Sequence, residues 1–161
     1  MDLKPEILTQ HVIPKALHGV NLRLYWGKSK WERLGKEIRE AQDNQCMACG
    51  REVPHKAGDW LELHEEFSYD YENKIATIDS MVGLCGKCHS YIHQGNLEMR
   101  MCEGKVSKDY VDDVIKYGDA ILVTHGLEKQ KLSIGVFNAS DWKLMYDGQD
   151  LVELMGSRAV E

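Results

Sequence analysis

Two cysteine pairs, "CMAC" at Cys46–Cys49 and "CGKC" at Cys85–Cys88, constrain this chain more than any other feature. A two-residue gap lets both sulfurs of a pair reach one ion, and Zn²⁺ favours a closed tetrahedron of four soft or borderline ligands. Residues 50–84 separate the pairs, enough chain for a hairpin that folds back and brings them together. Two independent redox dithiols are the competing reading. The spacing favours one structural zinc held by Cys46, Cys49, Cys85 and Cys88. With four ligands already present, Cys102 is expected to be a small core residue.

The length of 161 residues suits one domain, or one small domain with extensions. No stretch is apolar for long enough to span a bilayer, so no membrane partner is expected. The opening "MDLKPEILTQHVIPK" carries charges and prolines where a signal peptide needs an unbroken apolar run, and a cytoplasmic location is expected. The net charge of −6 is unevenly spread. Arg23, Lys28, Lys30, Arg33, Lys36 and Arg39 face only Glu32 and Glu37 over their span, whereas Asp59 to Asp79 is acidic apart from Lys74. Any contact with nucleic acid therefore falls to Arg23–Arg39; a solvated helix face is the plain alternative.

Pro5, Pro14 and Gly19 mark residues 1–22 as an irregular arm. "SKWERLGKEIREAQ" reads as a helix, with Ser29 and Glu32 as a capping box and Trp31, Leu34, Ile38 and Ala41 as its buried stripe. "CMACG" is a tight knuckle turned at Gly50. "DWLELHE" alternates as a strand over Asp59–Glu65, "SYDYENK" reads as a polar turn, and "IATID" returns over Ile75–Asp79. A short helix starts near Cys88 and ends at Gly95. Beyond it, Ser107 caps a helix that buries Tyr110, Val111, Val114 and Ile115, with Gly118 its weak point. "DWKLMYDGQDLVEL" reads as a hairpin turning at Asp147-Gly148. The expected fold is α+β: an arm and amphipathic helix over 1–45, a zinc-stabilised, treble-clef-like ββα core over 46–96, and a helix plus β-hairpin extension over 97–161.

A closed four-cysteine site leaves the histidines free. His89 follows Cys88 directly and His93 lies four further on, so a helix projects both from one face. His64 sits on the strand opposite, between flanking acids in "LELHEEFSYD". His64 and His89 are thereby placed to converge on a second ion. His11, His18, His55 and His125 read as surface or turn histidines, and Tyr69 and Asp70 as hairpin packing.

"CMACG", "LELHEEFSYD" and "VGLCGKCHSYIHQG" together resemble the HNH endonuclease superfamily (ββα-metal, or His-Me finger), in its subset stapled by two C-x2-C pairs. The resemblance covers Cys46 to Gly95. It implies a nuclease that cleaves phosphodiester bonds, DNA the expected substrate, with a divalent ion (Mg²⁺ or Mn²⁺) stabilising the phosphorane and leaving oxygen. His64 matches the ligand at the strand end and His89 the helix ligand; His93 is an additional candidate. Glu65 stands where the family has its basic histidine, and Ser80 where it has a mid-motif Asn. "HEEF" and the upstream "LHGVNLR…W" (Leu17–Trp31) are similar to a bacterial and phage branch reading His-Glu-x-aromatic. A second register makes His64 the base and Glu65 or Glu66 a carboxylate ligand; alternating strand side chains allow only one of His64 and Glu65 straight into the site. The alternative function is a noncatalytic, zinc-stabilised module that binds a protein or nucleic-acid partner, such as a phage-type regulator or inhibitor of a host enzyme.

Overall fold

The computed structural model describes residues 2–9, 13–54, 59–129 and 138–158, which leaves His11 and His55 outside the described residues. The fold is mixed α+β with a four-stranded sheet. The chain groups into two compact units, one formed by residues 1–11, 37–64 and 82–130, the other by 12–36, 65–81 and 131–161. Among the described residues no helix is long and apolar enough to cross a membrane.

In the first unit the N-terminal arm is tied down. A 3-10 turn at Pro5–Thr9 buries Ile7 and Leu8, and the Lys4 amide donates to the Met47 carbonyl at 2.9 Å. The knuckle closes as the Gly50 amide donates to the Cys46 carbonyl at 2.8 Å; Gly50 takes φ +70, a region that favours glycine. Strand β1 (Glu62–Asp70) and strand β2 (Ile75–Leu84) are both longer than expected, and their first and last residues respectively lie in this unit. Ser68–Asp70 belongs to the strand, because Phe67 and Tyr69 are themselves partly buried against the second unit's core; the turn shrinks to residues 71–74. The Gln42 side chain then clips the knuckle region to β2. It accepts from the Gly83 amide at 2.7 Å and donates to the Gly83 carbonyl at 3.0 Å, as a neighbouring strand would.

Helix α3 (Gly86–Ile92) starts at the second cysteine pair. It gives way at His93 to helix α4 (Gln94–Cys102), so Gly95 lies in a first turn rather than at a helix end. Helix α5 (Lys108–Thr124) is capped by Ser107, whose side chain accepts from the Tyr110 amide at 3.2 Å. It buries Val111 and Val114 and partly buries Ile115, while Tyr110 faces solvent at 38% exposure. Tyr91 is fully buried and lies over Gly118, its hydroxyl donating to Asp119 at 2.6 Å. Glycine is required there by the ring rather than by the backbone.

The second unit begins with a 3-10 turn at Lys15–Leu17 and helix α1 (Leu22–Trp26), capped by Asn21. Helix α2 (Lys28–Ala41) follows Gly27 and crosses into the first unit's residues at Glu37. It starts one residue before Ser29, which therefore lies in its first turn and is not its cap. The stripe is only half-buried at Trp31, Leu34 and Ile38, and Ala41 is exposed; Gly35 and the following Gln42 are the buried positions. Here β1 and β2 continue, β2 pairs in parallel with β3 (Lys143–Tyr146), and β3 pairs antiparallel with β4 (Gln149–Asp150). Asp147 and Gly148, both at positive φ, make the turn. The hairpin is short, since from Leu151 the chain turns into helix α6 (Leu151–Arg158) instead of extending the strand. Asp150 accepts from the Val152 amide at 3.0 Å, and Leu151 is buried against Trp142 and Leu144.

Gly118→Ala should destabilise the protein. A Cβ at that position meets the Tyr91 ring at 2.2 Å. Overpacking of this kind costs about 1–3 kcal/mol, which outweighs the gain of up to about 1 kcal/mol in helix propensity. A lower urea midpoint checks it; a higher one would contradict the packing described.

Candidate metal centre

Both clusters of ligand-type side chains lie in the first unit. Cys46 and Cys49 come from the knuckle, Cys85 precedes α3 as its N-cap, and Cys88 lies within it. The four sulfurs lie within 4.8 Å of one another, and Cys49 and Cys85 are 3.8 Å apart. A tetrahedron with metal–sulfur bonds of about 2.3 Å has edges of about 3.8 Å, so this spacing fits four thiolates on one ion. Cys46, Cys85 and Cys88 are buried and Cys49 is half-buried.

Electrostatics point the same way. Hydrogen bonds from Cys46, Cys85 and Cys88 pull the Cys49 thiol far below its ordinary range, and the Tyr117 hydroxyl adds a further donor. Contacts with Cys46 and Cys49, together with burial, push Cys85 and Cys88 up. A divalent cation binds cysteine as thiolate, so binding at such a cluster would release protons. Cys102 stands apart, exposed at the end of α4, and is not the small core residue expected from the sequence. It ends a helix whose length the sequence reading had cut short.

The second cluster is His64, His89 and His93, whose ligand atoms also lie within 4.8 Å of one another. His64 comes from β1, His89 from α3, and His93 from the junction of α3 with α4. The ring centroids of His64 lie 5.5 Å from His89 and 5.1 Å from His93, and His89 and His93 are 4.6 Å apart. Burial, then the charges of His89 and His93, pushes His64 well below its ordinary pKa. Burial, then His89, pushes His93 down to about 4. Both imidazoles are therefore neutral at pH 7, with lone pairs free for a metal.

Glu62 completes the arrangement. Its Oε2 lies 2.8 Å from His89 Nδ1, leaving His89 Nε2 as the ring's available ligand atom. That hydrogen bond holds the Glu62 carboxyl below its usual range, with smaller help from Arg100. Sequence reading missed Glu62, although its place two residues before His64 sets both on one strand face. A cleft of about 110 Å³ opens at His89 and His93, lined also by Glu62, Ser90, Asn96, Leu97 and Arg100; His64 is not among its lining residues. The α4 contribution was hidden by reading Gly95 as a helix stop.

Glu65, the expected base, is not brought into this cluster. Its Oε1 accepts from the Leu22 amide at 3.2 Å, beside α1. Ser80, at the position expected to hold Asn, donates to Glu66 at 2.5 Å. His18 and His125 are exposed, as expected. In the basic segment Arg23, Lys28, Lys30, Arg33 and Lys36 are exposed, Lys30 lies over the Trp26 ring at 4.3 Å, and Arg39 is half-buried against the Leu61 carbonyl. Comparison with protein-family models, with curated proteins and with solved structures finds no match for this chain.

Two tests follow from the geometry. With one metal expected at Cys46, Cys49, Cys85 and Cys88, chelation should unfold the first unit, because those sulfurs are part of its core. Elemental analysis and circular dichroism read this; full structure after chelation would refute it, and Cys102→Ala should leave metal content unchanged. The second test is acid stability. His93 charges at about 4 in the fold but at about 6.5 when unfolded, so the unfolded chain takes up protons first. The share of stability that depends on neutral His93 should be lost as pH drops from 6.5 towards 4. His93→Gln should flatten part of that slope in urea midpoints, separating it from acid loss of the cysteine-bound ion.

Proposed function

We propose that the protein is an HNH-type, metal-dependent nuclease acting on DNA phosphodiester bonds. In this reading Cys46, Cys49, Cys85 and Cys88 hold a structural zinc that staples a treble-clef-like ββα core. His64, His89 and His93 hold a second divalent ion, Mn²⁺ or Mg²⁺. The observation that carries it is the convergence of three imidazoles from β1, α3 and the α3–α4 junction on one point beside the cysteine cluster. The bound ion would supply Lewis acidity at a phosphoryl oxygen and lower the pKa of a coordinated water. The chain's own part is to keep His64 and His93 neutral by burial and to fix the His89 ring through Glu62. Arg23, Lys28, Lys30, Arg33 and Lys36 would meet the phosphates of the duplex.

One specific observation favours a second reading, a noncatalytic zinc-stabilised module that binds a partner. Glu65 and Ser80, which stand at the family's base and Asn positions, are both engaged elsewhere, with Leu22 and Glu66. Plasmid nicking decides between the two. For a nuclease, His64→Ala and His89→Ala should each abolish Mn²⁺- or Mg²⁺-dependent nicking while keeping the structural zinc and the fold. Glu65→Gln should change the rate by no more than a few-fold; a drop of about 10²- to 10⁴-fold would make Glu65 the base after all. Charge reversal at Lys30 and Arg33 should weaken DNA binding and flatten its salt dependence. No nicking by the parent protein with any divalent ion would leave the binding module as the function.

A further inference from the structure

We propose that Arg100 and Asn96 form a phosphate-holding wall of the histidine cleft, so that the cleft takes the phosphate group of a phosphodiester. The inference rests on the nuclease reading and names the residues that hold its substrate's phosphate. Helix α4 begins directly after His93, and Asn96 and Arg100 follow at spacings of three and four. That spacing puts all three on one helical face. Asn96 and Arg100 line the same cleft as Glu62, His89 and His93.

The two walls differ in chemistry. One offers the ring nitrogens of His89 and His93, suited to a cation; the other offers a guanidinium fork and an amide N–H₂, suited to oxygen acceptors. Among the described residues Arg100 forms no ion pair, so its fork is available, and its charge is felt at Glu62. With a divalent ion among the imidazoles, the cleft carries a positive surplus over the single Glu62 carboxylate. The cleft measures about 110 Å³, against the roughly 10–15 Å³ that one water needs in the same measure, so a phosphate group fits it. Contacts made to phosphate oxygens read backbone chemistry and carry no base sequence.

Calorimetry on the full-length, zinc-loaded protein tests this without relying on turnover. Mn²⁺ is titrated first, followed by a thymidine dinucleotide phosphodiester or by inorganic phosphate. Arg100→Met should leave Mn²⁺ affinity within about twofold and weaken diester binding about 10- to 100-fold, the usual worth of a charge-assisted hydrogen bond. Arg100→Lys should restore part of it, and Asn96→Ala should cost less. Replacing thymines by other bases should shift affinity by less than about twofold if no base contact forms. Diester binding that is unchanged in Arg100→Met, strongly base-dependent, or weaker than that of inorganic phosphate overturns the inference while leaving Mn²⁺ binding intact. A parent protein that binds no Mn²⁺, or whose Mn²⁺ binding survives His89→Ala, overturns the nuclease reading itself.

Discussion

The first unit is organised around four sulfurs that lie within 4.8 Å of one another, a spacing that could hold one metal ion. Cys46, Cys85 and Cys88 are fully buried members of the same hydrophobic cluster as Leu61, Leu84 and Tyr91. Crowding pulls the Cys49 thiol down and pushes the Cys88 thiol up. The knuckle holds one pair and the end of β2 delivers the other, so an ion at this point would tie the N-terminal arm, the hairpin and α3 together. Cys85 caps α3, which carries His89 one residue beyond Cys88.

Burial then sets the chemistry of two of the imidazoles, His64 and His93. A histidine in water is partly charged near neutral pH and competes poorly as a ligand. Here desolvation keeps His64 and His93 neutral, while Glu62 orients His89 without entering the sulfur cluster. The division of labour along β1 is equally physical. Successive strand residues face opposite ways, so with His64 among the imidazoles, Glu65 accepts from the Leu22 amide. A carboxylate that helps seat α1 has a structural task in its own right, which weakens the expectation that it serves as a base.

The sequence by itself determined the parts that depend on local spacing. The two C-x2-C pairs announced one cysteine cluster that could hold a metal, because two sulfurs three residues apart can reach one ion. His89 and His93 were legible as neighbours from helical periodicity, Ser107 as a cap, and Asp147-Gly148 as a turn. Tertiary structure decided what depends on partners distant in sequence. Phe67 and Tyr69 gain a core to pack on, which lengthens β1 beyond its propensity; Gly95 continues a helix because α4 has its own buried Leu97. Leu151 turns the last strand into a helix by burying itself against Trp142. Gln42, Glu62 and Arg100 gained their roles the same way. Each is an ordinary polar residue in its local window, and only the fold brings it to Gly83, to His89 or to the wall of the cleft.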